Sequence, residues 1–179
     1  PIFEKAQELH SFILFHRGAA DPSIPGQPTL YAPADIPWAR STLNTYYQLT
    51  AATLTLGLSP FLDDYYPEVS VLSIMLGGFI SFVMDSIQRS GLSQGVDPEQ
   101  LFRRIYIDPG PYCTLPEQLA KTVEVFGADR ILFGADYGPM ADMGVQISGF
   151  NSADLTLQER RQIMVDNGVK LLAEKGVIA

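Results

Sequence analysis

Four short apolar runs, separated by long helical stretches, constrain the fold of this chain more than any other feature. They are FILF at 12–15, SVLSIML at 70–76, IYID at 105–108 and RILFG at 130–134. Each is short enough for a buried β-strand, and each ends in, or is followed by, Gly, Pro or a polar residue. The stretches between them are too long for hairpins. The sequence therefore predicts parallel strands joined by crossover helices.

Strand–helix units of this kind fit either part of an eight-stranded β/α barrel or a small open sheet. Polar or glycine residues follow the carboxyl end of each predicted strand: His16, Gly77–Gly78, Asp108 and Asp136. Barrels and open sheets both bind their ligands at that end of the strands. The residues alone leave the choice between the two architectures open.

Length and composition limit the classes of partner. With 179 residues, the chain is expected to form a single domain over 1–179. The net charge of −8, without a dense Lys or Arg cluster, argues against nucleic acid and anionic membranes as partners. The longest apolar stretch, 71–84, is too short to span a bilayer. The single cysteine, Cys113, cannot form an internal disulfide, which favours a reducing, cytoplasmic location.

Several segments resemble one known family. RILFGADYGP, followed by QERRQIMVDNGVKLL, is similar to the carboxyl-terminal signature of the amidohydrolase-2 family. These are metal-dependent hydrolases and decarboxylases related to aminocarboxymuconate semialdehyde decarboxylase. FILFHRG resembles the strand whose terminal histidine binds metal, and YYPEVSVLSIMLGGFISFVMDSIQR resembles a strand that runs into a histidine and a Gly-Gly pair. The blocks occur in the family's order and cover nearly the whole chain.

The resemblance implies a fold and a site. The fold would be the later part of a TIM-type β/α barrel, about four β/α units, with the N-terminal strands absent from this chain. His16 and Asp136 would bind a divalent metal, with zinc favoured, and Asp136 would also be the catalytic carboxylate. Trp38 and Arg40 fall where decarboxylases of the family have substrate-facing residues. Arg40 is a candidate to hold a substrate carboxylate in a bidentate fork.

Two departures from the family pattern keep alternatives open. The family begins with a His-x-His pair, whereas the two histidines here are His10 and His16, and Met75 stands where the family has a histidine before the Gly-Gly pair. We therefore expect metal only if the missing ligands are supplied from elsewhere. The leading hypothesis is a metal-dependent hydrolase or decarboxylase acting on a small carboxylated or cyclic molecule. The first alternative is a noncatalytic scaffold or binding module that has lost metal ligands.

A second alternative is an unrelated open sheet that binds a phosphorylated ligand through Gly77–Gly78. The absence of a GxGxxG or P-loop pattern counts against it. Each candidate residue also has an ordinary interpretation: His16 as a strand-end histidine bonded to backbone, Asp136 as a turn cap, and Met75 as core filler. Asp108 is assigned no chemistry.

The predicted strands also bear on assembly and on the backbone. A half barrel leaves two unpaired parallel edges, so we expect a missing N-terminal segment or another subunit to complete the sheet, with a homo-oligomer favoured. Gly134 and Gly138, on either side of Asp136, predict a tight turn that aims its carboxylate inward.

Overall fold

A computed structural model describes residues 1–18, 37–90 and 102–178, apart from the side chains of residues 37, 38, 40 and 41. Most of the proline-rich stretch, residues 21–36, and the side chains of Trp38 and Arg40 lie outside the described residues. No helix within the described ranges is both long and apolar enough to cross a membrane.

Short parallel strands alternate with helices along the described chain. The strands are β1 Phe12–Phe15, β2 Ser70–Ser73 and β3 Ile105–Ile107. The helices are α1 Ile2–Glu8, α2 Pro37–Leu58, α3 Phe61–Tyr65, α4 Ile80–Arg89, α5 Pro116–Phe126, α6 Met143–Ser152, α7 Leu157–Arg161 and α8 Asn167–Glu174. A π-helical turn, Gln162–Asp166, joins α7 to α8, and 3₁₀ turns cover Met75–Gly77, Gly110–Thr114 and Ala128–Arg130.

The sheet has the order β1-β2-β3, and both pairs of strands are parallel. Phe12 aligns with Ser70, and Val71 aligns with Ile105. Helices lie between successive strands in the sequence. The predicted parallel strands with crossover helices are therefore confirmed for these three.

The predicted fourth strand, RILFG, is reduced to a single bridge between Ile131 and Ile107. Leu132 N–H still donates to Ile107 O at 2.9 Å. The next amide, Phe133 N–H, instead donates to Ile163 O in the π-helical turn at 3.0 Å. Because the final helical segment takes up this amide, the ladder with β3 stops after one residue.

The two faces of the sheet differ in burial. Val71, Ile107 and Ile131 pack into the main core against the helices and are no more than 1% exposed. On the other face, Phe12 and Leu14 of β1 are 42% and 49% exposed. The continuous apolar run FILF is typical of a strand buried on both faces, and this prediction is wrong for β1. In the described part of the chain β1 is an edge strand, and nothing covers its second face.

The carboxyl-terminal helices are fixed by specific polar contacts. Thr156 and Glu159 stand at the spacing that predicts a capping box, and the box is present, with each side chain bonding the backbone of the other residue. The buried amide of Asn167 donates to Ala128 O and to Ile131 O, both at 2.7 Å. Asn167 thus ties α8 to the segment that enters the Ile131 bridge.

Candidate functional site

The candidate residues follow the carboxyl ends of parallel strands. His16 comes directly after β1, Met75 lies two residues after β2, and Asp108 comes directly after β3. Asp136 lies five residues beyond the bridging Ile131. Since parallel strands all end at the same edge of a sheet, the topology brings these residues to one end of the structure.

The His16 ring bonds a backbone carbonyl, as strand-end histidines commonly do, and it can still bind a metal through its other ring nitrogen. Its Nδ1 lies 2.9 Å from Arg17 O, and the ring is exposed. A carbonyl only accepts, so Nδ1 carries the hydrogen and Nε2 keeps its lone pair, the form that a metal ligand requires. His10 lies before β1, at the opposite end of the sheet, where Nδ1 is 2.9 Å from Glu68 Oε2.

Within residues 1–18, 37–90 and 102–178, no group of three or more His, Cys, Asp and Glu side chains could hold a metal ion. Protein sites for divalent metals commonly use three or four side-chain ligands. His16 and Asp136 therefore do not make a metal site with their described neighbours alone.

Asp136 is held in a backbone conformation that L-residues seldom adopt. Its φ is 54°, and its carbonyl accepts from Met140 N–H at 2.9 Å. Such a conformation costs of the order of 1 kcal/mol, and it concentrates at functional sites. Gly138, with φ 119°, takes part in the turn as predicted, but Gly134 does not have a positive φ. The predicted turning role of Gly134 is therefore wrong.

Gly134 instead makes room for Asp108. A Cβ atom on Gly134 would lie 2.9 Å from Asp108 Oδ2 and 3.0 Å from its Cγ. A Cβ on Gly110 would lie 3.2 Å from Asp108 Oδ1. Glycines on two neighbouring segments thus leave the space that the Asp108 carboxylate occupies.

The Asp108 carboxyl group is electrostatically unusual. Burial, together with a smaller contribution from the negative charge of Asp136, raises its pKa from the ordinary 3.8 to about 6. The backbone N–H groups of Met75 and Gly110 act in the opposite direction. Oδ1 is buried and has no hydrogen-bond partner of ordinary geometry among the described residues. A carboxyl with a pKa near neutrality can both hold and release a proton under physiological conditions.

The strand pattern around Asp108 carries a signal for the direction of its side chain. Side chains alternate across a strand, so Tyr106 and Asp108 share a face with Leu72, the partner of Tyr106 in β2. A cavity of about 230 Å³ opens on this face, and Asp108 is the one charged residue among those that line it. The alternation in IYID therefore indicated an inward-facing carboxylate, although not its burial.

The connection after β2 has an unusual backbone. Met75, Leu76, Gly77 and Gly78 have φ values of 55°, 55°, 64° and 72°. Met75 is partly exposed, and its Cγ lies 3.8 Å from the position of a Cβ on Gly110. The interpretation of Met75 as core filler is therefore wrong, because its side chain lies at the strand ends beside the Asp108 loop. Two non-glycine residues in this conformation indicate local strain at the candidate site.

The Gly77–Gly78 pair has a structural role. The N–H groups of Gly77 and Gly78 donate to backbone carbonyls at 2.9 and 3.0 Å, and Phe79 N–H donates to Thr50 Oγ1 at 2.6 Å. A Cβ on Gly78 would lie 2.5 Å from Tyr46 O. These amides are used within the fold and are not directed at a ligand, so the structure does not support the phosphate-binding alternative.

Cys113 is a buried thiol. Burial raises its pKa to about 12, and the nearby charge of Asp108 acts in the same direction. The thiol donates to Gly134 O at 3.4 Å. A neutral, enclosed thiol is a poor nucleophile.

Comparison with known proteins decides between the two architectures. No protein-family model and no curated protein matches the sequence. Among solved structures, the chain aligns with a Staphylococcus aureus protein assigned as an amidohydrolase, with 24% identity and a TM-score of 0.73. This alignment covers 96% of this chain and 57% of the other. The chain has the fold of part of an amidohydrolase barrel.

Two further structures share this amidohydrolase fold. A 2,6-dihydroxybenzoate decarboxylase from Rhizobium aligns at 17% identity with a TM-score of 0.69, over 97% of this chain and 54% of that one. A dihydroxybenzoic acid decarboxylase from Polaromonas sp. JS666 aligns at 19% identity with a TM-score of 0.70, over 97% and 53%. That structure contains manganese and the inhibitor 2-nitroresorcinol.

These alignments confirm the predicted partial β/α barrel and exclude the open sheet. The chain spans about half the length of the structures it matches. At these identities the similarity establishes the amidohydrolase fold and leaves activity to be tested.

Proposed function

We propose that this chain is the carboxyl-terminal part of a metal-dependent hydrolase or decarboxylase that acts on a small carboxylated, cyclic molecule. The observation that carries the proposal is the similarity in fold, which extends over 96–97% of the chain. The candidate carboxylates follow the strand ends, where β/α barrels bind their substrates. Two of the matched structures are decarboxylases of dihydroxybenzoic acids, so a hydroxylated aromatic acid is the substrate class to test first.

In this proposal His16 and Asp136 supply two ligands of a divalent metal, zinc or manganese. When bound, such a metal polarises a substrate oxygen or activates water. The further ligands would come from outside the described residues. Asp136 would accept or place a proton near the reacting carbon, and its fixed left-handed backbone would keep the carboxylate in one direction.

The substrate would be held by residues near the start of α2. Arg40 would bind a substrate carboxylate in a bidentate fork, and Trp38 would contact the ring. The strand edges of the half barrel would be covered by further barrel strands, either from a longer polypeptide or from a second copy of this chain. We further propose that residues 1–179 act as one domain in that assembly.

Metal-dependent turnover tests the proposal. The purified protein would be treated with a chelator, reloaded with Mn²⁺ or Zn²⁺, and assayed for CO₂ release from 2,6-dihydroxybenzoate. We expect turnover only in the reloaded protein, and its loss in His16→Gln. Asp63→Asn is the matched control, because Asp63 contacts Arg103 and Arg104 just before β3, at the other end of the sheet. If the protein binds 2,6-dihydroxybenzoate but releases no CO₂ from it with either metal, the proposal is contradicted and a noncatalytic scaffold is favoured.

A further inference from the structure

Asp108 is a partly buried residue whose carboxylate has one enclosed oxygen, Oδ1. Oδ1 accepts no hydrogen bond of ordinary geometry from the described residues, and none of the ion pairs found among them includes Asp108. A buried acceptor without a donor costs about 1–3 kcal/mol, and more for a charged group. Each such group in a native protein calls for a physical explanation.

The fold does not need this side chain to make the strand-end turn. The backbone of Asp108 is already fixed on both sides: its N–H donates to Ser73 O at 3.1 Å, and its carbonyl accepts from Leu76 N–H at 2.8 Å. Both bonds are made by the main chain and would persist with another side chain at position 108. The N–H groups of Met75 and Gly110 also bond the carboxylate and lower its pKa, but they leave Oδ1 without a bond of ordinary geometry, so capping accounts for the carboxylate only in part.

The surroundings of Asp108 nevertheless hold the carboxylate in one position. Gly134 and Gly110 leave space on two sides, where a Cβ would come within 2.9 Å of Oδ2 and 3.2 Å of Oδ1. The same residue is the one charged group on the lining of the 230 Å³ cavity, whose other described lining residues are apolar or glycine. One polar group placed in an apolar cavity is the arrangement by which a binding site orients a small ligand.

We propose that Asp108 is a ligand-binding residue whose carboxylate accepts a hydrogen bond from a hydroxyl group of a small, ring-shaped ligand held at the carboxyl ends of the strands. The class of ligand rests on the proposed function, whereas the assignment of Asp108 to binding, as opposed to folding, rests on its contacts alone. The protein keeps this carboxylate at the expense of stability, as binding sites commonly do.

Two measurements on Asp108→Asn test the inference, with Asp63→Asn as the matched control. Thermal unfolding at neutral pH separates binding from folding: we expect Asp108→Asn to raise the Tm by about 2 °C or more, because the substitution removes a partly buried charge whose Oδ1 has no hydrogen bond of ordinary geometry. Asp63→Asn removes contacts of 2.7 Å to Arg103 and Arg104 and is expected to lower the Tm. A fall in the Tm of Asp108→Asn to the level of the control would overturn the assignment.

Ligand titration tests the hydrogen bond itself. The wild-type protein is expected to bind 2,6-dihydroxybenzoate at least about tenfold more tightly than benzoate, which lacks the hydroxyl groups, and Asp108→Asn should lose that preference. The affinity for benzoate should be the same in both proteins. Equal weakening of both ligands would show a structural effect and overturn the inference.

The two proposals can fail separately. If the wild-type protein binds neither 2,6-dihydroxybenzoate nor benzoate, the proposed substrate class is wrong. The Tm comparison alone then decides whether Asp108 serves ligand binding or the stability of the fold. If both ligands bind and Asp108→Asn still binds 2,6-dihydroxybenzoate more tightly than benzoate, the proposed function stands and the role of Asp108 is refuted.

Discussion

A Cβ atom on Gly134 would lie 2.9 Å from Oδ2 of Asp108, so the absence of a side chain at one position permits the carboxylate at the other. The two residues are far apart in sequence and meet because Ile107 and Ile131, just before them, form a bridge. This contact places a carboxylate beside the segment that carries Asp136. The candidate site is therefore built by the pairing of strand ends and not by one local motif.

The first prediction follows from that contact. Gly134→Ala should lower the free energy of unfolding by about 1–3 kcal/mol, because the new methyl group meets the Asp108 carboxylate at less than van der Waals distance. Denaturant unfolding would measure the loss. Gly168→Ala is the control: this glycine lies in α8 with no atom within 4 Å of its added Cβ, so the change should raise stability by about 0.5–1 kcal/mol.

A double-mutant cycle separates this clash from a general backbone effect. In an Asp108→Ala background the colliding carboxylate atoms are gone, so Gly134→Ala should cost less there by about 1 kcal/mol. Additive effects of the two substitutions would contradict the proposed role of Gly134.

Stability should depend on pH through Asp108. Burial raises the pKa of this carboxyl in the folded protein to about 6, against 3.8 as its ordinary value. Between these values the folded chain binds a proton that the unfolded chain has released, so stability falls as the pH rises. The expected loss is about 3 kcal/mol, complete above about pH 6. Urea unfolding of the wild type and Asp108→Asn at several pH values would isolate this contribution. A difference between them that does not change with pH would contradict it.

The sequence predicted the architecture well because hydrophobic spacing reports strand and helix periods directly. FILF, at 12–15, and IYID, at 105–108, lie in parallel strands, and Thr156 caps its helix with Glu159 as the spacing predicted. RILFG forms a single bridge and not a full strand, for a reason that the spacing of apolar residues does not reveal. One of its amides bonds a helical carbonyl, and that contact depends on how the final helix packs.

The candidate site was less accessible to sequence reasoning. Asp136 matches a family pattern, whereas Pro109 and Gly110 after Asp108 indicate only an ordinary turn at the strand end. The space for its carboxylate depends in part on Gly134, which lies in a different segment of the chain. No local sequence pattern therefore predicts its burial. The left-handed backbone of Met75 was equally hidden, because Met carries no preference for that conformation.

Asn167 should prove essential for stability. Its side-chain amide donates to Ala128 O and Ile131 O, both at 2.7 Å, and the residue is 5% exposed. Asn167→Ala leaves Ile131 O without its donor and removes one of the two donors to Ala128 O, which also accepts from Ile131 N–H at 3.2 Å. The free energy of unfolding should fall by about 1–3 kcal/mol. Asn151→Ala, at an exposed position in α6, is the control and should change stability by less than about 0.5 kcal/mol. Similar losses in both variants would refute the tie between α8 and the sheet.

The open face of β1 predicts association. Phe12 and Leu14 are 42% and 49% exposed on an edge strand, and such strands pair with other chains unless something covers them. We expect the 179-residue chain to self-associate, and Leu14→Lys to weaken that association by placing a charge on the contact face. Light scattering over a range of concentrations would measure both. A wild-type chain that stays a folded monomer throughout would contradict the prediction.

The last prediction separates the chemistry of Asp136 from its place in the fold. Asp136→Asn keeps the size of the side chain and suits the backbone, because Asn is one of the few residues that accept a φ near 54°. The carbonyl that accepts from Met140 N–H belongs to the main chain and is unaffected. Stability should therefore change by less than about 0.5 kcal/mol. Activity should be abolished, because an amide neither accepts a proton nor binds a divalent metal as a carboxylate does. Turnover and denaturant unfolding of the same preparation would test both parts together. Full turnover in Asp136→Asn would remove Asp136 from the site, whereas a large loss of stability would show that its carboxylate serves the turn.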